Sequence, residues 1–286
     1  MEQFKHQIQL DSGYFFNGIV LHHQKSQFQD IKIIDNKDYG RTLLLDNKVM
    51  LCERDEHEYH ELIVHPACLQ LYNFKNALII GGGDCFTAKS VLQYPFINVD
   101  LVEIDKEVVD VCKKYFKEPL GNIFENTRFN IFYEDAFQFK SDKLYDYIAL
   151  DLTDPDMDIS QSLYSEYAFE DIKKKMSESS ILTVQAASPF DYALTFQKTF
   201  KTLSKLFKNV AAYGKYMGMY GTYQYFIYCS DIYEVDQPDY LHMYTNIMNL
   251  NLEKMKIYTP KYHDLLLEEY RIHAQFKSIL LTTNQK

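Results

Sequence analysis

The spacing of hydrophobic and polar residues changes near residue 55. Before that point the chain consists of short apolar stretches, and Asp30-Ile31-Lys32-Ile33 alternates between polar and apolar residues. This pattern predicts three strands, at Tyr14–His22, Gln29–Asp35 and Thr42–Cys52, with a turn at Asp46-Asn47-Lys48. The first part of the chain is therefore predicted to be a small β unit.

After residue 55 the apolar positions take on helical spacing. Leu62, Ile63, Ala67 and Leu69 predict a helix from Glu56 to Tyr72, which Pro66 is expected to kink or restart. Strands then alternate with helices. The predicted strands are 77–80, 99–103, 129–133, 146–151, 181–185 and 223–229, and the predicted helices lie near 85–94, 105–116, 165–176 and 191–207, with one or two closing helices in 237–286.

Such alternation is typical of an α/β fold with a doubly wound, mostly parallel sheet. We therefore predict two units: an N-terminal β-strand domain, residues 1–55, and a larger α/β domain, residues 56–286.

A glycine turn follows the first strand of the second unit. Ala77-Leu78-Ile79-Ile80 runs into Gly81, Gly82 and Gly83, followed by Asp84. In an open α/β sheet this arrangement presents backbone to a nucleoside-sized ligand. A dinucleotide site would have a third glycine further on, and a typical methyltransferase carries an acid at the position of Ile79. Here the acid comes after the turn, and Glu103 ends the next strand, at the distance expected for a carboxylate that binds two ribose hydroxyls.

Two further carboxylates follow another apolar strand. Asp151 and Asp154 come after Tyr147–Leu150, and Pro155 pushes Asp154 out of the helical region, so both side chains are expected to reach the same crevice. Together with Asp84 they predict a cationic ligand. The alternative is an ordinary βαβ unit with solvated acids.

An amine ligand would need such carboxylates. An alkyl amine with a pKa of ~10.4 is almost wholly protonated at pH 7, and presenting its lone pair costs roughly 4–5 kcal/mol. A carboxylate within hydrogen-bonding reach can hold the ammonium group and accept its proton as the nitrogen attacks. One of the two acids would then bind the amine and the other would accept the proton, while Asp84 would hold a second cationic group.

Three other positions are candidates on local grounds. Tyr59 lies in the polar run Glu53–Glu61, which by spacing alone predicts the exposed face of a helix start. Asp135 and Ala136 end a strand, where an α/β fold often offers an acid to an adenine amino group beside a small residue. Tyr220 lies between glycines, where it either faces a ligand or packs.

Composition limits the classes of function. The formal charge of −10 argues against nucleic acid or an anionic membrane as the main partner. Five scattered cysteines without a C-x-x-C pair favour a reduced, cytoplasmic protein, and neither a signal peptide nor a membrane-length apolar run is visible. The histidines and cysteines form no metal-binding pattern, so no metal is expected.

These residues together resemble the polyamine aminopropyltransferases, the spermidine synthase family, over roughly residues 10–275. The matching stretches, in the order of the family, are Lys25–Ile31, Tyr39–Asp46, Glu53–Glu61, Ile80–Asp84, Val102–Asp105, Asp151–Pro155 and Gln185. The resemblance implies a small N-terminal β domain, a Rossmann-like catalytic domain and a homodimer or homotetramer.

The resemblance also implies roles for single residues. The donor would be decarboxylated S-adenosylmethionine, which is a co-substrate, so no cofactor is expected. Glu103 would hold its ribose, Asp135 with Ala136 its adenine, and Asp84 its aminopropyl ammonium, with Gln29, His60 and the glycine turn helping to seat it. Asp151, assisted by Tyr59, would deprotonate the attacking amine, while Asp154, Gln185 and Tyr220 would position the acceptor.

Departures from the family pattern cluster at the acceptor. Met50 replaces a common glutamine, Cys85 replaces the glycine after Asp84, Asp156-Met-Asp replaces x-Gly-Pro, and Ala187 replaces an acid or glycine. The sequences of the Asp151–Pro155 and Gln185–Pro189 stretches are more similar to the branch of the family that contains thermospermine synthases.

The leading hypothesis from the sequence is aminopropyl transfer to putrescine, giving spermidine and methylthioadenosine. Rival acceptors are spermidine (giving thermospermine or spermine), a longer or carboxylated diamine, and agmatine. A non-catalytic nucleoside-binding homologue is the alternative from another class.

Overall fold

The computed structural model describes residues 2–9, 12–154, 161–186, 188–250 and 255–268. Its strands are β1 (Glu2–Gln9), β2 (Ser12–Lys25), β3 (Asp30–Asn36), β4 (Gly40–Leu45), β5 (Lys48–Cys52), β6 (Asn76–Gly81), β7 (Asn98–Val102), β8 (Phe129–Phe132), β9 (Tyr145–Asp151), β10 (Met176–Gln185), β11 (Asn209–Met217) and β12 (Thr222–Ser230). Its helices are α1 (Glu56–Cys68), α2 (Phe86–Val91), α3 (Lys106–Tyr115), α4 (Lys117–Leu120), α5 (Glu166–Lys174), α6 (Ala193–Leu206) and α7 (Tyr240–Leu250), with 3-10 turns at Ile123–Glu125 and Gln161–Tyr164.

The first five strands form an antiparallel sheet in the order β1-β2-β3-β4-β5. The predicted strand Thr42–Cys52 is wrong as a single strand, because the turn that was predicted within it divides β4 from β5. Asp46 and Asn47 both have positive φ, 48° and 66°, which is the backbone of a two-residue hairpin turn. β1 was not predicted.

The second sheet has seven strands in the order β11-β12-β10-β9-β6-β7-β8. The five strands from β10 to β8 are parallel, and β12 and β11 add an antiparallel edge. Ala77 and Ile79 of β6 face one core with α1, whereas Leu78 and Ile80 face the other core with α5 and α6. Burial on both faces explains why β6 is apolar at consecutive positions, and the doubly wound prediction is confirmed.

The carboxyl ends of the parallel strands meet at one edge of this sheet. β6 lies between β7 and β9, so the strand order reverses between β6 and β9, and such a switch point opens a ligand crevice. Gly81 is paired with Asp151 across this point. The register therefore brings the glycine turn and the acidic loop together.

Helix α1 continues through Pro66, so the predicted restart is wrong, and the helix ends at Cys68 rather than Tyr72. Proline has no N–H for the carbonyl of Leu62. The Tyr213 hydroxyl donates to that oxygen instead, at 2.8 Å, and the Tyr147 hydroxyl donates to the Ile63 carbonyl at 2.6 Å. Tyr213 thus replaces the hydrogen bond that the proline removes, and Tyr147, from the same sheet, donates to the next carbonyl along the helix.

The end of the described chain is helical, as predicted. Helix α7 is followed by a second helical stretch, residues 260–268. Glu61 fixes the segment that leads into it, because its carboxylate accepts hydrogen bonds from the amides of Lys256, Ile257 and Tyr258. Among the described residues, no helix is both long and apolar enough to cross a membrane. The division at residues 55 and 56 into two domains stays a prediction.

Candidate active site

The glycine turn passes so close to the acidic loop that only glycine fits. Gly81 and Gly82 have φ of +81° and +66°, and a Cβ on Gly81 would lie 2.2 Å from the Asp151 carbonyl oxygen. The Gly82 amide donates to that same oxygen at 2.7 Å. A Cβ on Gly83 would lie 2.9 Å from Glu103 Oε2, so this carboxylate also closes on the turn.

Cys85 occupies a backbone conformation that favours glycine. Its φ is +68°, in the left-handed region, at the residue before α2. A side chain there costs about 1–2 kcal/mol. The thiol is fully buried, 3.6 Å from the Gly83 carbonyl, and burial raises its pKa well above the usual range. The thiol is therefore an inert packing group.

Asp151 accepts a hydrogen bond on each carboxylate oxygen. The Tyr59 hydroxyl donates to Oδ1 and the Thr87 hydroxyl to Oδ2, both at 2.6 Å. Burial and the neighbouring charge of Asp84 raise the pKa of Asp151, against His60 and the two hydroxyl donors, which lower it. A carboxylate with a raised pKa is a stronger base, so this environment suits proton transfer.

The expectation that Tyr59 lies on an exposed helix face is wrong. Tyr59 is 6% exposed and His60 1%, because α1 turns this polar run towards the sheet. Edge contacts with Phe226, Tyr220 and the His60 ring, at centroid distances of 5.1, 6.3 and 5.1 Å, fix the Tyr59 ring. The many charged residues of this run made it look exposed in the sequence. Its buried positions could not be recognised, because several of the charged side chains form pairs in the interior.

His60 lies behind Asp84 rather than on the cavity wall. Its Nδ1 donates to the Glu56 carbonyl at 2.6 Å and lies 3.4 Å from the Glu56 carboxylate, while Nε2 is 3.6 Å from Asp84 Oδ1. Burial alone would lower the pKa of His60, but Asp84 and Glu56 outweigh it and raise the pKa to about 10. The imidazolium of His60 and the two carboxylates beside it together carry one net negative charge. The imidazolium also orients Asp84.

Glu103 and Gln29 approach one part of the cavity from different sheets. Glu103 Oε1 accepts from the Asp105 amide at 2.8 Å, and Gln29 Nε2 donates to Asp105 Oδ2 at 2.9 Å. Burial raises the pKa of Glu103 to about 7, with the Asp105 amide opposing and the charges of Asp105, Asp151 and Asp84 adding to the shift. Gln29 Oε1 is buried and has no hydrogen-bond partner among the residues that the structure describes, so it is an acceptor available to a ligand hydroxyl.

Asp135 and Ala136 line the cavity beyond β8. Asp135 Oδ1 accepts from the Phe137 amide at 2.9 Å, which fixes one carboxylate oxygen by a local turn. The small side chain of Ala136 leaves room for a flat group next to it.

The other end of the cavity is built around Gln185. Its Nε2 donates to Asp154 Oδ1 at 3.0 Å, and its Oε1 accepts from the Tyr164 hydroxyl at 2.6 Å. The tyrosine therefore sets which end of the amide faces Asp154. Tyr220 reaches across to the first sheet, where its hydroxyl donates to the Met50 carbonyl at 2.9 Å.

One cavity thus gathers nearly all the predicted site residues: Gln29, Tyr59, Gly81, Gly82, Gly83, Asp84, Glu103, Asp135, Ala136, Asp151, Asp154, Gln185 and Tyr220 line it. The predicted departures at 156–158 and at Ala187 lie outside the described residues. Sequence reasoning missed Thr87, Tyr164, His6 and Lys48. The only sequence signal for Thr87 was its place in the first turn after the glycines.

Comparison with known proteins finds matching family models and relatives. A family model described as the spermine/spermidine synthase domain matches residues 56–237, and one described as the spermidine synthase tetramerisation domain matches residues 19–53. A polyamine aminopropyltransferase of Prochlorococcus marinus (strain MIT 9312) is 38% identical over 198 residues, 68% of this chain and 70% of the relative. One of Alkaliphilus metalliredigens is 39% identical over 186 residues, 64% of each chain.

Solved structures carry the same fold. A spermidine synthase in complex with the transition-state analogue AdoDATO superposes with a TM-score of 0.86 at 25% identity, covering 93% of this chain and 91% of that one. The spermidine synthase of Thermotoga maritima gives 0.84, with the same identity and coverage. The relatives of this chain, together with its fold, identify it as a transferase. It belongs to the spermine/spermidine synthase family.

Proposed function

We propose that the protein transfers the aminopropyl group of decarboxylated S-adenosylmethionine to putrescine, giving spermidine and methylthioadenosine. The observation that carries this proposal is the meeting of Asp84, Asp151 and Tyr59 at one glycine turn, inside a single cavity. Two carboxylates there suit two cationic partners, a donor ammonium and an attacking amine. Family membership supports aminopropyl transfer as the reaction.

The donor occupies the end of the cavity near β7 and β8. Glu103 accepts the ribose hydroxyls, with Gln29 Oε1 as a further acceptor, and Asp135 accepts from the adenine amino group beside Ala136. Asp84 holds the aminopropyl ammonium, and His60 contributes by orienting Asp84. Intact S-adenosylmethionine would bring its carboxylate against Asp84 and Asp151, so the decarboxylated donor is favoured.

The transfer step is a displacement at carbon. The amine nitrogen of the acceptor attacks the aminopropyl carbon next to the sulfonium, the C–N bond forms, and the C–S electron pair returns to sulfur as a neutral thioether. The proton released from nitrogen passes to Asp151. Because the leaving group is already good, alignment and proton removal are the contributions that the protein makes.

The acceptor occupies the end near Asp154. Its attacking nitrogen lies at Asp151 and Tyr59, and its distant ammonium group is held by Asp154, with Gln185 and Tyr220 completing the wall. We also propose that no cofactor takes part, that the partners are small molecules rather than nucleic acid or membrane, that the protein is cytoplasmic, and that it is a homodimer or homotetramer. The match of residues 19–53 to a tetramerisation domain supports an oligomer.

Incubation with decarboxylated S-adenosylmethionine and a panel of amines, followed by mass spectrometry, tests the proposal. The panel holds putrescine, spermidine, agmatine and a carboxylated diamine. We expect spermidine from putrescine as the main product. Absence of aminopropylated product from every amine would leave the non-catalytic homologue, and methylated product from intact S-adenosylmethionine would indicate a methyltransferase.

The role of Asp151 gives the first prediction. Asp151→Asn keeps the size of the side chain and removes the base, so we expect kcat to fall by about 10²–10⁴-fold. Methylthioadenosine should still bind with an affinity close to that of the unchanged protein, measured by isothermal titration calorimetry. Unaltered turnover would remove Asp151 from the proton-transfer step.

A further inference from the structure

A buried carboxylate lies behind the donor end of the cavity, between β7 and α3. Asp105 is 1% exposed, and its Oδ1 accepts from the Glu107 amide at 3.1 Å, which caps the start of α3. Its Oδ2 accepts from the Ser26 hydroxyl at 2.7 Å and from Gln29 Nε2 at 2.9 Å. Ser26 and Gln29 lie between β2 and β3, so this one side chain joins the first sheet to the second domain's helix α3.

The donors and acceptors around Asp105 fix the direction of the Gln29 amide. Ser26 Oγ accepts from the amides of Phe28 and Gln29, both at 3.0 Å, so its own hydrogen remains for the Asp105 carboxylate. A carboxylate only accepts, and Gln29 must therefore turn its nitrogen to Asp105 and its oxygen the other way. Gln29 lines the cavity and is 6% exposed, so its Oε1 is a buried acceptor held ready for a ligand donor.

The backbone of the same residue orients a second acceptor. The Asp105 amide donates to Glu103 Oε1 at 2.8 Å, and Glu103 Oε2 is the oxygen that lies next to the glycine turn at Gly83. Asp105 therefore sets Glu103 through its amide and Gln29 through its carboxylate. Two fixed acceptors at one end of the cavity match the two hydroxyl donors of a ribose.

We propose that Asp105 is a positioning residue that divides the two ribose hydroxyls of the donor between Glu103 and Gln29, by holding the Gln29 amide with its oxygen towards the cavity. This inference rests on the proposed function, since it places the ribose of the donor at this end. A deoxyribose would leave one buried acceptor unpaired, and such a loss is what lets a polar site reject a ligand that lacks a hydroxyl.

Asp105→Asn tests the direction of the Gln29 amide with little change in shape. The variant has one oxygen and one NH2 group, and the Glu107 amide requires the oxygen at the position of Oδ1. The new NH2 group then faces Gln29 Nε2, donor against donor. We expect the Gln29 amide to turn over and accept from it, which presents N–H to the cavity in place of the oxygen.

Isothermal titration calorimetry with methylthioadenosine and its 2′-deoxy and 3′-deoxy analogues measures the consequence. We expect Asp105→Asn to bind methylthioadenosine about tenfold more weakly, the scale of one lost hydrogen bond. It should bind one of the two deoxy analogues as tightly as the unchanged protein does, because the hydroxyl that meets Gln29 is then absent in both. In turnover, the KM for the donor should rise, with kcat and the KM for putrescine close to unchanged.

The matched control is Glu107→Ala. It removes an exposed contact between β2 and α3, in which Gln24 Nε2 donates to the Glu107 carboxylate at 2.6 Å, and it keeps the amide that Asp105 accepts from. This variant should bind all three ligands as the unchanged protein does. The same loss in Glu107→Ala as in Asp105→Asn would trace the effect to the contact between β2 and α3 and overturn the role of Asp105.

The pattern across ligands separates positioning from a general loosening of the site. Equal weakening of all three ligands in Asp105→Asn, or unchanged affinity for methylthioadenosine, overturns the role of Asp105 and leaves aminopropyl transfer intact. Gln29→Met removes the acceptor outright and should reproduce the pattern of Asp105→Asn. If Gln29→Met still depends on both hydroxyls, the inference fails even where Asp105→Asn does not fold. Failure of the unchanged protein to bind methylthioadenosine overturns the proposed function itself.

Discussion

At the scale of single residues, the hydrogen bonds on Asp151 oppose burial and the charge of Asp84, which together raise its pKa. Thr87 is fully buried, and its hydroxyl donates to Oδ2, the oxygen that Tyr59 does not contact. A hydrogen bond donated to a carboxylate stabilises its charged form and lowers its pKa, in opposition to burial. Thr87 is therefore a positioning residue for the proposed base.

Replacing Thr87 is predicted to change the pH dependence of the reaction. Thr87→Val has nearly the same shape and lacks the donor, so the pKa of Asp151 rises and the base is protonated over a wider range of pH. The acidic limb of the profile of kcat/KM against pH should then move to higher pH. Thr87→Ser keeps the hydroxyl and should leave the limb near its original place; equal movement in both variants would contradict the assignment.

The carboxylates of the site could be predicted from the sequence, but their partners could not. Asp151 and Glu103 follow apolar strands, and parallel strands place their carboxyl ends at one edge, so local patterns were enough. Thr87 and Tyr164 lie in helical turns of ordinary composition. Only the packing of these turns against the strand ends brings their hydroxyls to a carboxylate or amide, and a single sequence does not encode that distance in any local pattern.

At the scale of elements, α1 continues through a proline that the sequence was expected not to tolerate without a kink or restart. A proline inside a helix costs about 3 kcal/mol, which favours a break. Tyr213 of β11 donates to the Leu62 carbonyl that Pro66 leaves without its usual donor. This contact joins residues 151 positions apart, so the helix is continuous for a tertiary reason. It also keeps Tyr59, one turn earlier, on a rigid support.

A double-mutant cycle tests this explanation. Tyr213→Phe leaves a buried carbonyl without a partner, and we expect the free energy of unfolding in urea to fall by about 1–3 kcal/mol. In a Pro66→Ala background the new amide can donate to Leu62, so the same tyrosine change should cost about 1 kcal/mol less. Strictly additive effects would show that the tyrosine does not compensate for the proline.

Two strands, β1 and β11, were not predicted from the sequence, and the reasons differ. β1 is mostly polar and is held by pairing with β2 from Glu2 onward, which periodicity does not reveal. β11 contains Gly214, a residue that usually weakens a strand. A Cβ at Gly214 would lie 2.3 Å from the Gln224 carbonyl, so the close approach of β12 requires glycine there.

At the scale of the whole molecule, β2 carries apolar side chains that are exposed within the described part of the chain. Phe15, Ile19 and Leu21 are 63%, 54% and 41% exposed, and they alternate with inward-facing neighbours along the strand. Exposed apolar side chains in a row mark a contact surface when they form one patch. Two of the three lie within the segment that matches a tetramerisation domain, and this agreement supports the proposed oligomer.

Breaking this face is predicted to dissociate the oligomer. Ile19→Asp places a charge in the centre of the row, which would be desolvated on association, so we expect the mass measured by light scattering after gel filtration to fall to that of a smaller assembly or of the 33.9 kDa monomer. Phe96→Asp makes a comparable change at a side chain that is 88% exposed, in the loop after α2, and should keep the original mass. If Ile19→Asp keeps the full mass, or if the unchanged protein is a monomer, β2 is not the interface. If both variants lose mass equally, added negative charge on a chain of net charge −10 is the cause rather than this surface.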